Sequence, residues 1–518
     1  MRRMKLAAGL LAVIALLTAC GAQDPADSTD NGPDLTANAT KTLRVVVPSI
    51  SAYLGNPFQA VSPPRAETTS AIFDALTRVS EKGEPSPWLA TSWKRLDDTT
   101  WQFTLRDDVT FSNGEKFNAD SVVASVAGLV GPAGTGAVAR LFLPDIAGAT
   151  KVDEYTVNIT TKASNGVLPQ QVAALYVVPP KYWAEAGPDE FAKAPVGTGP
   201  YTVTSISTTE INLKANFDSW RKPIVGAVEI KQVADPGART NAILSGQADI
   251  NTGLDIDRVD SIGNEGFTVL PLQNQGVYLL QFINTSGTPS PLDKKEVRQA
   301  INYAVNKEAV LKSVFQGLAS IASQGVAPGV AGYEESVKPY PYDPEKAKQL
   351  LAAAGYPNGV ELTAVYSLGA FTGDRQILEA AQSDLAAVGI KLNLNQDTTA
   401  NMTSYLLKGQ WPANMFSTSY LAAPTQDATK AYFTNSCLRS PGSWCDREQA
   451  DLLVLAGSQT LGSPERADTL AKLARAVNEN PPGLFLFNQV KIIAYSNKVA
   501  GYSIDTSTNV AWENIYFK

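Results

Sequence analysis

Apolar and polar positions mark a first strand soon after the N-terminal region. Residues 43–47, Leu-Arg-Val-Val-Val, form a short, mostly apolar run closed by Pro48, the pattern of a buried strand that feeds a loop. Ser49, Ile50, Ser51, Ala52 and Tyr53 make up that loop. Residues 101–105, Trp-Gln-Phe-Thr-Leu, and residues 155–159, Tyr-Thr-Val-Asn-Ile, alternate with period two and predict half-buried strands. Between them, Ser112-Asn113-Gly114 predicts a turn, and Asn118 or Asp120 the cap of a helix. Val297, Ala300, Ile301, Ala304, Val305 and Val310 recur at helical spacing with charges between them, predicting a helix over residues 294–314. Asp343-Pro344-Glu345 opens another helix, with proline at its first position, which runs through Ala347, Leu350 and Leu351 to a stop at Gly355. A third spans residues 374–388, ends at Gly389 and leads into a strand at 390–394. Strands and helices mix without a sustained internal repeat, which favours an α/β or α+β protein of several lobes.

A different grammar precedes them. Arg2, Arg3 and Lys5 lead into an unbroken run of apolar or small residues from 6 to 19, the pattern of an export signal. A membrane-spanning helix needs about 20 apolar residues, this run is shorter, and the chain turns polar directly after Cys20. Leu17-Thr18-Ala19-Cys20 resembles the bacterial lipobox. Residues 1–19 are therefore expected to be a lipoprotein signal peptide and Cys20 the lipidated N-terminus, on the extracytoplasmic face of the cytoplasmic membrane. An ordinary cleaved signal with an incidental cysteine is the alternative. Residues 20–41, rich in Asp, Asn, Ser, Thr, Gly and Pro after the cysteine, lack the apolar periodicity needed to fold and read as a flexible tether.

Composition narrows the chemistry. Cys437 and Cys445 remain as a close pair in a compartment where disulfides persist, and are expected to be bonded as a local staple worth roughly 2–3 kcal/mol, with two free thiols as the alternative. With 43 Lys and Arg against 50 Asp and Glu, the net charge is −7, and loss of the three signal cations makes it −10, so no nucleic-acid partner is expected. The chain contains no histidine, which removes Ser-His-Asp and Cys-His catalysis, His-rich zinc sites and His-ligated haem; no cofactor or metal is expected. A hydrolase built on paired carboxylates needs no histidine and stays open as an alternative. The adjacent acids Asp97-Asp98 and Asp107-Asp108 are weak candidates, because neighbours on a strand or turn point apart.

Six segments then fall in a telling order: PWLATSW at 87–93, WQFTLRDDVTFSNGEKFNADSVVAS at 101–125, VGTGPY at 196–201, RTNAILSGQADI at 239–250, PLDKKEVRQAINYAVNKEAVL at 291–311 and YPYDPEKAKQLLAAAGYPNGVEL at 340–362. Together, over residues 42–518, they resemble the extracellular solute-binding proteins of family 5, the peptide, nickel and opine receptors of ABC importers. The resemblance implies a mixed α/β, two-lobed, periplasmic-binding-protein-like fold of class II with an interlobe ligand cleft. Lobe I would span residues 42–275, with an extra subdomain at about 56–195, and lobe II residues 276–482. Residues 483–518 would return to lobe I, with crossings at Gly276 and at residues 480–483. It further implies a monomer that captures a small solute or oligopeptide by hinge closure and meets membrane-bound permease and ATPase subunits, touching the membrane only through its lipid. A binding protein used for sensing is the neighbouring alternative. Gly197-Thr198-Gly199-Pro200-Tyr201 lacks the spacing and lysine of a phosphate-binding loop and is read as a tight turn between lobes. Lys294, Lys295, Glu296 and Arg298 are read as a solvated helix face, and Trp88, Trp93 and Trp101 as core.

The C-terminal half resembles the dipeptide-binding branch through its two cysteines and the Trp444-Cys445 pair. In that branch an aspartate upstream of the first cysteine holds the substrate's α-amino group, and an arginine early in a preceding helix holds its carboxylate. Arg375 stands at or beside the arginine position; an exposed helix residue is its competing account. The loop at 417–424 carries no acid, and Tyr420 occupies the place expected for the aspartate. A buried ammonium without a counter-charge is costly, so free dipeptides are not expected to bind in that branch's usual way. Trp411, Phe416, Ser419 and Tyr420 are candidate cleft residues, as are Ser49, Ser51 and Tyr53 of the first-strand loop, with core packing as the competing account for each aromatic on the later segment. The absence of histidine argues against a nickel chelate.

Overall fold

The computed structural model describes residues 33–50, 55–59, 65–80, 83–131, 137–140, 142–143, 145–283, 289–367, 371–423, 425–434, 436–438, 442–444, 446–505 and 507–518. Cys20, Ser51, Tyr53 and Cys445 lie outside the described residues.

Two large sheets organise the chain. The first has seven strands, in spatial order Phe267–Leu272, Lys491–Ser496, Ile250–Asn251, Thr42–Val47, Ala227–Gln232, Glu210–Ala215 and Tyr201–Ile206. Thr42–Val47 is its parallel centre, paired on both sides, which is why Leu43, Val45, Val46 and Val47 are all buried. The second has six strands, in order Ser320–Ile321, Gly483–Asn488, Val277–Phe282, Met415–Tyr420, Val360–Tyr366 and Ile390–Gln396. Val277–Phe282 is buried at every position because both sheet faces are covered: Tyr278, Leu280 and Phe282 join one core, Val277 and Leu279 another.

A smaller antiparallel sheet, Ala90–Arg95, Thr100–Leu105, Thr156–Thr161 and Ile146–Asp153, forms a subdomain inserted between strands of the first sheet. The period-two strands at 101–105 and 155–159 are both here. The helix Ala119–Val130 packs beside them, opened by a capping box in which the Asn118 side chain accepts from Asp120 and Ser121 Oγ accepts from the Asn118 amide.

The chain passes between the two large sheets twice. It leaves the first sheet after Leu272 and enters the second at Val277; it leaves the second after Asn488 and re-enters the first at Lys491. The return thus falls at Gln489 and Val490, one strand later than residues 480–483. Leu484, Phe485, Leu486 and Phe487 have apolar side chains for both covered faces, and that places Gly483–Asn488 inside the second sheet.

Three local expectations are corrected. The helix anticipated over residues 294–314 is two helices, Lys295–Ala304 and Lys307–Phe315: Val305 is extended, Asn306 caps the second by accepting from the Ala309 amide, and the Asn306 amide donates to Asp384. Arg298 is not solvated; it is buried, donates to the Leu292 carbonyl and to Asn480, and stacks on Trp444. Gly197 and Gly199 are not a turn between lobes. They lie against the backbone of Ala71 and Ile72 within the first lobe, where an added Cβ would meet Ile72 O at 1.9 Å or Ala71 O at 2.6 Å. That close approach lets the Thr198 hydroxyl donate to buried Asp74, which also accepts from Trp88, Trp220 and Arg221; Arg221 in turn reaches Glu513. Of the three tryptophans assigned to the core, Trp101 is buried in it, and Trp88 and Trp93 are partly buried against it.

Candidate functional site

The two crossings are tied to each other. The Gln275 amide donates to the Gln489 carbonyl and the Gln489 amide to the Gly276 carbonyl, a short antiparallel ladder with one rung on each side of the passage. Gly276 lies in close approach to the second sheet: a Cβ there would sit 2.8 Å from Ser419 Oγ and 2.7 Å from Leu421 Cδ2, so those side chains would have to shift. Asn274 adopts a positive φ of 60°, a conformation asparagine tolerates better than most residues. Ser419 Oγ donates to Gln489 Oε1, joining the second-sheet strand to the return crossing. Two narrow, hydrogen-bonded connections between rigid sheets are what a hinge requires.

On the first lobe, the carboxyl ends of the parallel strands Thr42–Val47 and Ile250–Asn251 carry the next polar groups. Ser49 is exposed beyond Pro48, and the Ile50 amide donates to Gln232 Oε1. Asn251 and Thr252 are buried, with Asn251 Nδ2 and Thr252 Oγ1 lacking a hydrogen-bond partner. Open α/β sheets bind ligands outside such strand ends.

Away from the hinge the inserted subdomain meets the second lobe directly. The Gly166 amide donates to the Gly457 carbonyl and the Leu461 amide to the Gly166 carbonyl, and a Cβ on Gly166 would meet Gln459 O at 1.9 Å. Beside this junction lies a cavity of about 250 Å³. The subdomain contributes Phe142, Asp145 and Gln170 to its lining, and the second lobe Thr425, Thr429 and Phe433. Burial pushes the Asp145 carboxyl above the usual carboxylate range, opposed by the field of Lys162.

The remaining sequence-derived candidates scatter. Tyr420 is 3% exposed; its hydroxyl donates to Gln281 Oε1 at 2.6 Å and its ring packs edge-on against Tyr432 and Phe485. Trp411 and Phe416 stack on each other, centroids 3.9 Å apart, in a small core of their own with Ile283. Arg375 stands exposed on the first turn of Asp374–Ala387 and pairs with Glu379 at 2.9 Å. Ser419 is the candidate that the structure puts at the hinge. Asp145, Gln170, Asn251 and Thr252 were not singled out from sequence; Gln170 and Gln171, two amides inside an otherwise apolar run at 167–178, were the available signal. Asp97 and Asp108 are loop acids, Asp97 accepting from its neighbour Thr99 and Asp108 pairing with Arg106.

Two sheet-built lobes, a double-stranded hinge and a cavity at the lobe junction define a class of two-lobed binding protein. The model of the bacterial extracellular solute-binding proteins, family 5, matches residues 84–439, and the chain belongs to that family. The glutathione-binding protein GsiB of Escherichia coli K12 is 27% identical over 496 residues, covering 92% of this chain and 95% of GsiB. Among solved structures, DppA of Helicobacter pylori in complex with the peptide STSA superposes with a TM-score of 0.78 at 23% identity, covering 93% of this chain and 99% of that one. AgaA of A. tumefacien R10 in complex with agropinic acid gives 0.77 at 26% identity, covering 92% and 99%. The family and these relatives are binding proteins rather than enzymes. Among the described residues no helix is long and apolar enough to cross a membrane, and no group of three or more Cys, Asp or Glu is arranged to hold a metal.

Proposed function

We propose that this protein is the solute receptor of an ABC importer, capturing a small peptide-like solute between its lobes and presenting the closed form to a membrane permease. The observation that carries the reading is the paired crossing at residues 273–276 and 489–490, set between two large sheets, with the inserted subdomain meeting the second lobe again at Gly166. A ligand that touches both lobes stabilises the closed arrangement relative to the open one, and a permease can read the difference without any chemistry being done. The relatives are a glutathione-binding protein, a protein in complex with a peptide and one in complex with agropinic acid, which supports a small, polar, peptide-like cargo here.

Cys20 is the lipidated residue that holds the protein at the outer face of the cytoplasmic membrane, and Cys20→Ala is expected to release it into the soluble fraction on cell fractionation. Cys437 pairs with Cys445, as their short spacing in an extracytoplasmic compartment favours, and mass spectrometry of unreduced peptides checks it. Ser49 and Ser419 contribute to the ligand cleft, whereas Tyr420, Trp411 and Phe416 act through packing within the second lobe.

The experiment is a thermal-shift panel of di- to tetrapeptides, glutathione and opines on the mature protein. A true ligand at 100-fold above its Kd stabilises by about 2.7 kcal/mol. A panel without a shift, or one that reveals turnover of a substrate, defeats the reading.

A further inference from the structure

The cavity between the inserted subdomain and the second lobe presents two acceptors with little compensation from the protein. Gln170 is fully buried; its amide nitrogen donates to the Gly83 carbonyl, which fixes the side-chain orientation and leaves Oε1 buried without a partner. Asp145 lines the same cavity, and among the described residues no hydrogen bond offsets the desolvation of its carboxylate. The donors across from them are already engaged. The Thr429 hydroxyl donates to Asp427, and the Thr425 hydroxyl to the Ala422 carbonyl, so both present only acceptor lone pairs. Asp427 itself is spent: both of its oxygens accept from Arg466, buried. Lys430 stands over the Phe142 ring, 4.2 Å from its centroid, a cation on an aromatic face. The apolar part of the wall is formed by Phe142, Phe433 and Leu453.

A buried amide oxygen and a partly desolvated carboxylate are both relieved by the same kind of guest, a compact cation with several hydrogens to donate. A primary ammonium on a short apolar stem has that charge, that donor count and that size. We propose that this cavity receives the ammonium group of an amine-bearing, peptide-like ligand, with Asp145 as its counter-charge and Gln170 Oε1 as a neutral acceptor. The inference rests on the receptor reading above and deepens it. The loop at 417–423 offers no acid, and Tyr420 is occupied by Gln281. In this account the amine is held from the opposite wall, by the subdomain, so that binding it bridges subdomain and second lobe.

The test titrates mature protein calorimetrically with tripeptides that carry free N-termini and with the N-acetylated forms of the same tripeptides. The expected result is binding by free-amine members and at least about tenfold weaker binding after acetylation, with Asp145→Asn reproducing the loss for the free amines and leaving the ligand-free melting temperature unchanged. Equal binding of free and acetylated forms, or full affinity in the Asp145→Asn variant, overturns the placement of the ammonium while leaving the receptor intact. If no member of either set binds, the placement and the peptide-receptor reading fall together.

Discussion

Among the described residues no hydrogen bond reaches the ammonium of buried Lys307, which faces only the Tyr340 ring at 6.0 Å, and burial lowers its pKa to about 7 from an ordinary 10.5. Between those values the unfolded chain holds a proton that the folded chain gives up, so this residue makes stability rise with pH across that window, by at most about 1.4 kcal/mol per pH unit. Below the lower value the full penalty is present. Lys307→Met is expected to be more stable than the wild type near neutral pH, with the gap closing toward about pH 10; urea denaturation of both proteins across that range measures it. Asp74 makes the opposite case. It is buried with Arg221 and accepts from Thr198, Trp88 and Trp220, so Asp74→Ala strands a buried guanidinium and is expected to destabilise by about 3–5 kcal/mol in the same assay. Neither role is visible from residue identity, because burial comes from segments far apart in sequence. Tyr420 teaches the same lesson: an aromatic on a loop beside a cleft looks available until its partner, Gln281 from another strand, is known.

At the scale of elements, the sequence was most legible where one local rule acted alone. Alternation located the strands Thr100–Leu105 and Thr156–Thr161, and cap residues located the helices at Asn118 and Asp343. It was least legible where two signals overlapped. The apolar spacing from Val297 to Val310 stays in phase across Asn306, so periodicity alone runs two helices together, although Asn306 is itself a capping residue. The return crossing was misplaced for a related reason: Gly483 reads as a break, yet it begins a strand buried on both faces. The hinge ladder makes its own prediction. Gly276→Val forces side-chain atoms into Ser419 and Leu421, and is expected to slow or weaken ligand-induced closure more than it alters either lobe's own unfolding; stopped-flow fluorescence on ligand addition reads the first, circular dichroism the second.

For the whole molecule, the family landmarks fixed a two-lobed architecture from sequence, because they are spread along almost the entire chain. The groups at the subdomain junction were not legible, since Asp145 and Gln170 acquire meaning only when the second lobe is folded against them. Gly166 is where that folding against is most exacting: its backbone exchanges hydrogen bonds with Gly457 and Leu461, and there is no room for a Cβ. Gly166→Ala is therefore expected to disfavour the closed arrangement selectively, weakening the best ligand at least about tenfold at little change in ligand-free stability, as titration calorimetry and melting together would show.

Closure of two lobes on a captured solute is the central claim, and small-angle X-ray scattering of the mature protein with and without a saturating ligand from the peptide, glutathione and opine panel addresses it directly. The account predicts a smaller radius of gyration on ligand addition in the wild type and a reduced change in Gly166→Ala. A ligand that binds with measurable heat but leaves the scattering of the wild type unchanged, at a radius already that of the open form, would contradict it.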